Sequence, residues 1–542
     1  MMKFRKTKMV VMGLTLLAVL LAGCGSKTGN SGNSGNTNGA SLPTASPEAS
    51  NNVESVAKEL RIAFNAQPTT LDPHKTTAWI TKDVSRPIFE TLVAADENYS
   101  VTPLLAESFD VSEDAKTFTF KLRQGVKFHN GKEMKAEDVV ASMNRWIAST
   151  TVGAATFGDA TFTEVDEYTV ELVLDKPSGN ALQVMINTNQ YAAIMPKEII
   201  EAAGEGLIEE YIGTGPYKFQ EWKQDQYISL VRYDEYASSA TEASGVAGKK
   251  EAPTETLMME FVTDASTRIA GLKSGQYDIA VELPPDYLGQ IEGDSNLASY
   301  VSFAGYNPLI MNNKMGVLSD EKIRLAIAAA LDAEKIMMGA YGNKQFYRTD
   351  GGLMLPEQTD WYTEAGLENY NQNDPEKAKQ LLAEAGYNGE PIKMMTSREY
   401  EDLYNSSVVV KALLEEIGMV VDLQLYDWGT VVGNQPKPEV WDMFITTFSS
   451  KTDPTQILFL DSRNQWAGWH SNPMIDELLD NIRQSTNQED SKKWFEEIQQ
   501  EFWNTVPVYK IGDKYTMTAA HKNVQGFTYF EGPVFWNAQK AE

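Results

Sequence analysis

Soft metal ligands are nearly missing from this sequence. It holds one cysteine, Cys24, and four histidines, His74, His129, His470 and His521, in 542 residues. With a single thiol no intrachain disulfide can form, so packing alone must hold the fold. A zinc centre would need carboxylates for most of its ligands, an unusual donor set. No metal site and no cofactor are expected. The serine elbow GxSxG, the phosphate loops GxxxxGK[ST] and GxGxxG, and the zinc-protease string HExxH are also missing. Those absences move weight from an enzyme toward a binding protein. Basic charge is scarce as well: 47 Lys and Arg stand against 75 Asp and Glu, a net charge of −28. Such a chain has no electrostatic drive toward nucleic acid or an anionic bilayer. Beyond the N-terminal region no apolar run approaches the roughly 20 residues of a membrane-spanning helix.

What is present begins at the N-terminus. Lys3, Arg5, Lys6 and Lys8 precede "MVVMGLTLLAVLLA", 14 uncharged residues at 9–22. A basic start followed by a short apolar segment reads as an export signal over 1–23. It runs into "LAGC", similar to the bacterial lipobox, in which a diacylglyceryl group joins the cysteine thiol and cleavage leaves that cysteine first. Cys24 is therefore the expected lipidation site. Residues 24–57 are a tether rich in Gly, Asn, Ser and Thr, without an aromatic side chain. Such a segment cannot bury enough apolar area to offset its chain entropy. As a coil it reaches on the order of 30 Å. The expected arrangement is an exported body leashed to the outer face of the cytoplasmic membrane.

The body is too long for one core. Its first part reads as strand-rich α/β. Leu60, Ile62 and Phe64 alternate like a half-buried strand, and Ile80, Val84, Ile88 and Leu92 form a helix stripe. "TFTFKLR" at 117–123 and "YTVELVLDKP" at 168–177 alternate again, and Asn130-Gly131 marks a hairpin turn. Between them a helix is expected to bury Val139, Val140, Met143 and Trp146. From about residue 304 longer helices alternate with strands. Ser319 reads as the N-cap of "EKIRLAIAAALD". Asp374, Pro375 and Gly386 bracket a helix whose core face is Ala378, Leu381, Leu382 and Ala385. "IKMMTS", "VVDLQLY" and "WDMFITTF" read as strands of a βαβ series.

Aromatic residues are plentiful: 11 Trp, 23 Tyr and 21 Phe. Trp79, Trp428, Trp466 and Trp469 fall in glycine or polar loops, where a core role is less natural. Aromatic faces in a cleft hold sugars or peptide side chains.

The strings "TLDPHK", "IFETLVAAD", "GTGPYKFQEW", "GLKSGQYDIA", "EKIRLAIAAALDAEKI", "DPEKAKQLLAEAGY" and "HSNPMIDELL" occur in that order along the body. With them stands the long stretch at 103–146, "PLLAESFDVSEDAKTFTFKLRQGVKFHNGKEMKAEDVVASMNRW". Together they resemble the bacterial solute-binding proteins of family 5, the oligopeptide, dipeptide and nickel receptors of ABC importers. The resemblance implies an α/β, two-lobed periplasmic-binding-protein-like fold of type II, in its large class. The first lobe would be 58–303 with an extra subdomain near 90–210, the second lobe 304–505, and 506–542 a return to the first. It implies a lipid-anchored extracellular receptor, monomeric, that captures a small solute, foremost an oligopeptide, and delivers it to an ABC import permease. It also places the cleft. Residues 75–79, with Trp79, would line the first lobe. Thr447, Phe448, Ser449 and Ser450, after "WDMFI", would line the second, with Trp428 and Trp466 at rim or pocket. Peptide receptors of the family commonly carry an aspartate four residues before the proline of "DP", for the ligand's α-amino group. Here "TTFSSKTDP" puts Ser450 there, followed by Lys451. That substitution favours a neutral or hydroxyl-rich ligand such as an oligosaccharide as the alternative. A sensory ligand-binding receptor and a surface hydrolase complete the alternatives.

Overall fold

A computed structural model describes residues 57–541 of the chain. The signal segment, Cys24 and residues 24–56 of the tether lie outside the described residues.

The strand Glu59–Phe64 shows how the frame is built. It pairs in parallel with Thr256–Phe261 on one side and with Ile279–Leu283 on the other. Its alternation predicts one wet face. The structure instead buries Ala63 along with Leu60, Ile62 and Phe64, as befits a parallel strand inside a sheet.

That strand belongs to a sheet of eleven. One half runs from Tyr217–Lys223 at the edge through Tyr227–Arg232, Thr256–Phe261 and Glu59–Phe64 to Ile279–Leu283. The other half holds Met443–Ile445 and Ile392–Thr396, with Val421–Leu425 at its edge. Two long antiparallel strands join the halves, Leu297–Met311 and Val508–His521. Val508–His521 pairs with Ile279–Leu283 through residues 517–520, and Leu297–Met311 pairs with Met443–Ile445 through residues 309–311. The ladder slips register between Phe303 and Gly305, so the crossing coincides with a bulge, which bends and twists a strand locally.

Each half has its own core. Leu60, Phe64, Leu257, Phe535 and Trp536 belong to the first, and Leu309, Met394, Phe444 and Phe502 to the second. A third core lies under a separate four-stranded sheet ordered Ala106–Val111, Thr117–Leu122, Thr169–Val173, Phe162–Asp166. Helix Ala136–Ser149 contributes Val139, Met143 and Trp146 to it, whereas Val140 is only half-buried.

Several of the family-like strings act as struts. Asp72 of "TLDPHK" is wholly buried and accepts from Arg145 Nη2 at 2.6 Å, Arg145 Nη1 at 3.1 Å and the backbone N–H groups of His74 and Ile208. Glu90 of "IFETLV" is buried too. It pairs with Lys250 at 2.9 Å and accepts from Thr214 of "GTGPY" and from Tyr236.

Local structure differs from expectation in four places. The helix expected through Leu92 is Trp79–Ser85, because Pro87 has no N–H to continue the hydrogen-bond ladder. Asp320, not Ser319, caps helix Glu321–Ala330 through Lys322 N. On helix Pro375–Ala385 only Ala378 and Leu382 of the expected face are fully buried, although Asp374 caps and Gly386 terminates it as read. The strand expected over 441–448 narrows to Met443–Ile445.

Three histidines are held neutral inside the fold. Burial pushes His74 down to about 3 and His129 and His470 down to about 4. At His74, Nε2–H donates to Ala193 O while Nδ1 faces the Arg145 guanidinium at 3.2 Å, so a second proton has no acceptor. The unfolded chain takes up protons first as pH falls below about 6.5. Stability is therefore full above that pH and is lost as pH falls toward 4 and below. Each histidine contributes a slope of at most about 1.4 kcal/mol per pH unit. Urea midpoints measured from pH 7.5 to 4.5 should fall steadily below pH 6.5; a flat profile would contradict these burials.

Candidate functional site

Residues 446–452 leave strand Met443–Ile445 and run beside the crossing of the two long strands. Phe448 exchanges backbone hydrogen bonds with Tyr306, N to O at 2.9 Å and O from N at 2.8 Å. Its ring lies 5.1 Å from Trp466 and 5.8 Å from Tyr306. Gly305, at φ 139°, is what lets this loop approach: a Cβ there would stand 2.6 Å from Phe448 O. Thr447, Phe448, Ser449 and Ser450 are each half-buried. An aromatic and hydroxyl wall is thus fixed on the second half of the sheet.

The opposite wall comes from the first half. Ser450 Oγ donates to Glu531 Oε1 at 2.5 Å, and Tyr99 OH donates to the same carboxylate. Glu531 sits in the turn between Thr528–Tyr529 and Pro533–Val534, at φ 51°. Arg86, at the end of helix Trp79–Ser85, donates to Phe530 O and Glu531 O, and Lys82 donates to Glu531 O as well. Asp83 and Glu282 are pushed up by burial, and Asn65 donates to Glu282 at 3.0 Å. Glu282, like Glu531, holds a left-handed backbone, at φ 52°. Beside Arg86 a narrow cavity of about 40 Å³ is lined by Asn187, Thr188, Tyr191, Lys250 and Trp536. A second line of contacts closes the same seam: Thr452 Oγ1 to Gln183 O at 2.7 Å, Asn180 Nδ2 to Thr455 Oγ1 at 2.7 Å, and Asn187 Nδ2 to Gln456 Oε1 at 3.2 Å.

Among the residues expected at the cleft, the structure brings Thr447, Phe448, Ser449, Ser450 and Trp466 together. Trp428 opens helix Trp428–Asn434 and packs on Tyr400 at 4.7 Å. Trp79 opens helix Trp79–Ser85 and packs on the first core. Trp469 stacks on the buried Trp441 at 5.4 Å, a structural role. Asp453, beside Ser450, is wholly buried and turned inward onto Thr455 and Gln456. Tyr99, Arg86, Glu282 and Glu531 were not legible as site residues. Among the described residues no three metal-ligating side chains converge, and no helix is long and apolar enough to cross a membrane.

Two half-sheets joined by two strands, with polar groups meeting across the seam, define a two-lobed solute-binding protein. The chain belongs to the bacterial extracellular solute-binding proteins of family 5, whose "Middle" family model matches residues 100–468. The chain is 29% identical over 532 residues to the probable peptide ABC transporter periplasmic-binding protein y4tO of Sinorhizobium fredii, covering 93% of this chain and 97% of that one. It is 26% identical over 575 residues to the oligopeptide-binding protein AppA of Bacillus subtilis, covering 99% of each. Among solved structures, AgaA from A. tumefaciens R10 in complex with agropinic acid superposes with a TM-score of 0.71 at 25% identity, covering 89% of this chain and 99% of that one. CtaP of Listeria monocytogenes shares the fold, with a TM-score of 0.78 at 21% identity over 90% of this chain and 100% of that one.

Proposed function

We propose that this protein is a lipid-anchored receptor that captures a small solute, foremost an oligopeptide, between its lobes and delivers it to an ABC import permease. The observation that carries this reading is the Ser450–Glu531 hydrogen bond, which joins the 446–452 loop to a hairpin packed on the other core. Contacts of this kind favour a closed state that a ligand touching both walls would reinforce. Peptide as the ligand is supported by y4tO and AppA, whose names assign peptide transport and oligopeptide binding to those proteins. The lobe limits proposed are 58–303 with 506–542, and 304–505. The slip between Phe303 and Gly305 supports the first boundary, and the separate sheet and core support a subdomain at 90–210. Anchoring rests on Cys24 and the tether as read from the sequence. Cys24→Ser should release the protein from washed membranes or leave its signal uncut; unchanged retention would count against the anchor.

An oligosaccharide or other polar solute is the second reading, favoured by Ser450 and the Phe448–Trp466 aromatic pair. Native mass spectrometry of protein purified from its own cells separates the two. A co-purified peptide, with a tryptophan emission shift when that peptide is added back, supports the first reading. A bound saccharide supports the second, and chemical turnover of the bound compound would contradict both.

A further inference from the structure

The loop proposed to line the second lobe carries one charge that no salt bridge compensates among the described residues. Lys451 is half-buried, and its ammonium has a single hydrogen bond, to Ser449 Oγ at the long distance of 3.4 Å. Other sequestered lysines are paired: Lys250 with Glu90 at 2.9 Å and Lys510 with Asp513 at 2.9 Å. Asp453, the one carboxylate in the adjoining sequence, is spent on Thr455 and Gln456. The backbone around Lys451 is pinned on three sides, by Gln358 on its carbonyl at 2.6 Å, by Ser450 on Glu531 and by Thr452 on Gln183. Lys451 therefore sits at the seam between walls. Burial holds its pKa below the ordinary lysine value, with Glu531 opposing that shift, as for a partly desolvated cation whose compensation is incomplete.

We propose that Lys451 is a ligand-anion site: the receptor takes solutes bearing a carboxylate, which accepts from Lys451 Nζ and from the Ser449 hydroxyl. This rests on the solute-binding reading above and deepens it. It reverses the polarity expected for a wall that receives an α-ammonium group, because the second lobe offers a cation and hydroxyls there. A charge-assisted bond made in a partly dehydrated seam is the stronger kind.

The test uses the mature protein and two matched probes, a random tripeptide pool with free C-terminal carboxylates and the same pool amidated. Binding is read by native mass spectrometry and thermal shift. The parent should bind the free-acid pool at least about tenfold more tightly. Lys451→Met should lose that preference and Lys451→Arg should keep it, while all three melt alike without probe. Equal binding of the two pools by the parent, or a preference that survives in Lys451→Met, overturns the anion site and leaves the receptor reading standing. If neither pool binds, the peptide reading fails, and the co-purified solute decides the inference: an anionic solute lost from Lys451→Met supports it, and a neutral solute overturns it.

Discussion

Asp72→Ala is expected to cost about 3–5 kcal/mol of stability, the largest loss of any single substitution considered. The carboxylate is fully buried, and it neutralises Arg145, whose side chain is 4% exposed. Burial pushes the Asp72 pKa up, but the Arg145 guanidinium and the Ile208 N–H outweigh it and leave it below the ordinary carboxylate value. Removing the carboxylate strands a buried guanidinium and leaves His74 N and Ile208 N without acceptors. The same site ties three stretches together, since Arg145 rides on helix Ala136–Ser149 and also reaches Gly206 O at 2.8 Å. Loss of the pair should therefore loosen the first lobe from its four-stranded sheet. Chemical denaturation with far-UV circular dichroism measures the loss. Asp72→Ala combined with Arg145→Met should recover part of it, because replacing both partners removes the uncompensated charge. A midpoint unchanged from the parent would show that the pair does not support the fold.

This strut was visible in the sequence only as a string. "TLDPHK" and "MNRW" could be matched to a family, but nothing local says that Asp72 and Arg145, 73 residues apart, meet. The contrast with helix Pro375–Ala385 is instructive. There Asp374, Pro375 and Gly386 act within one turn of the element they bound, so capping chemistry alone locates it. Helix Trp79–Ser85 shows the converse. The spacing of Ile88 and Leu92 continues the stripe, and both are indeed buried, yet Pro87 ends the helix and the buried residues belong to the chain beyond it. Periodicity reports burial, and here burial outlasts the element.

The candidate site divides along the same line. Thr447, Phe448, Ser449 and Ser450 form one short segment after a strand, so a resemblance in that segment points to them together. Glu531 lies 81 residues beyond Ser450, and Tyr99 lies 432 residues before Glu531. Neither has a motif. The signals that existed were weak: a Glu-Gly-Pro turn near the C-terminus and a tyrosine in the turn "DENYS". Interlobe sites are assembled from such distant turns, and their chemistry is set by proximity that no window of sequence contains.

Gly305→Val is expected to leave most of the fold standing and to remove ligand binding. At φ 139° the backbone lies where side chains with a Cβ are strained. The Cβ would also stand 2.6 Å from Phe448 O and 2.9 Å from Thr447 Cγ2. The neighbour that must move is backbone, and it is the backbone of the 446–452 loop proposed to line the cleft. The two hydrogen bonds between Tyr306 and Phe448 would stretch first, because they flank the overlap. Phe448 would then withdraw from Trp466, and Ser450 from Glu531, so the wall and the lobe-to-lobe contact would fail together. Strain plus overlap should lower stability by roughly 2–4 kcal/mol, less than full unfolding of a chain whose three cores are otherwise intact. The effect on binding should be of similar size and directly visible, since a displacement near 1 Å at a positioned site costs about a hundredfold. Native mass spectrometry of protein from its own cells should find the parent loaded and Gly305→Val empty, with near-parental far-UV circular dichroism. A variant that folds and still carries its solute at the parental occupancy would mean that the 446–452 loop does not line the binding cleft.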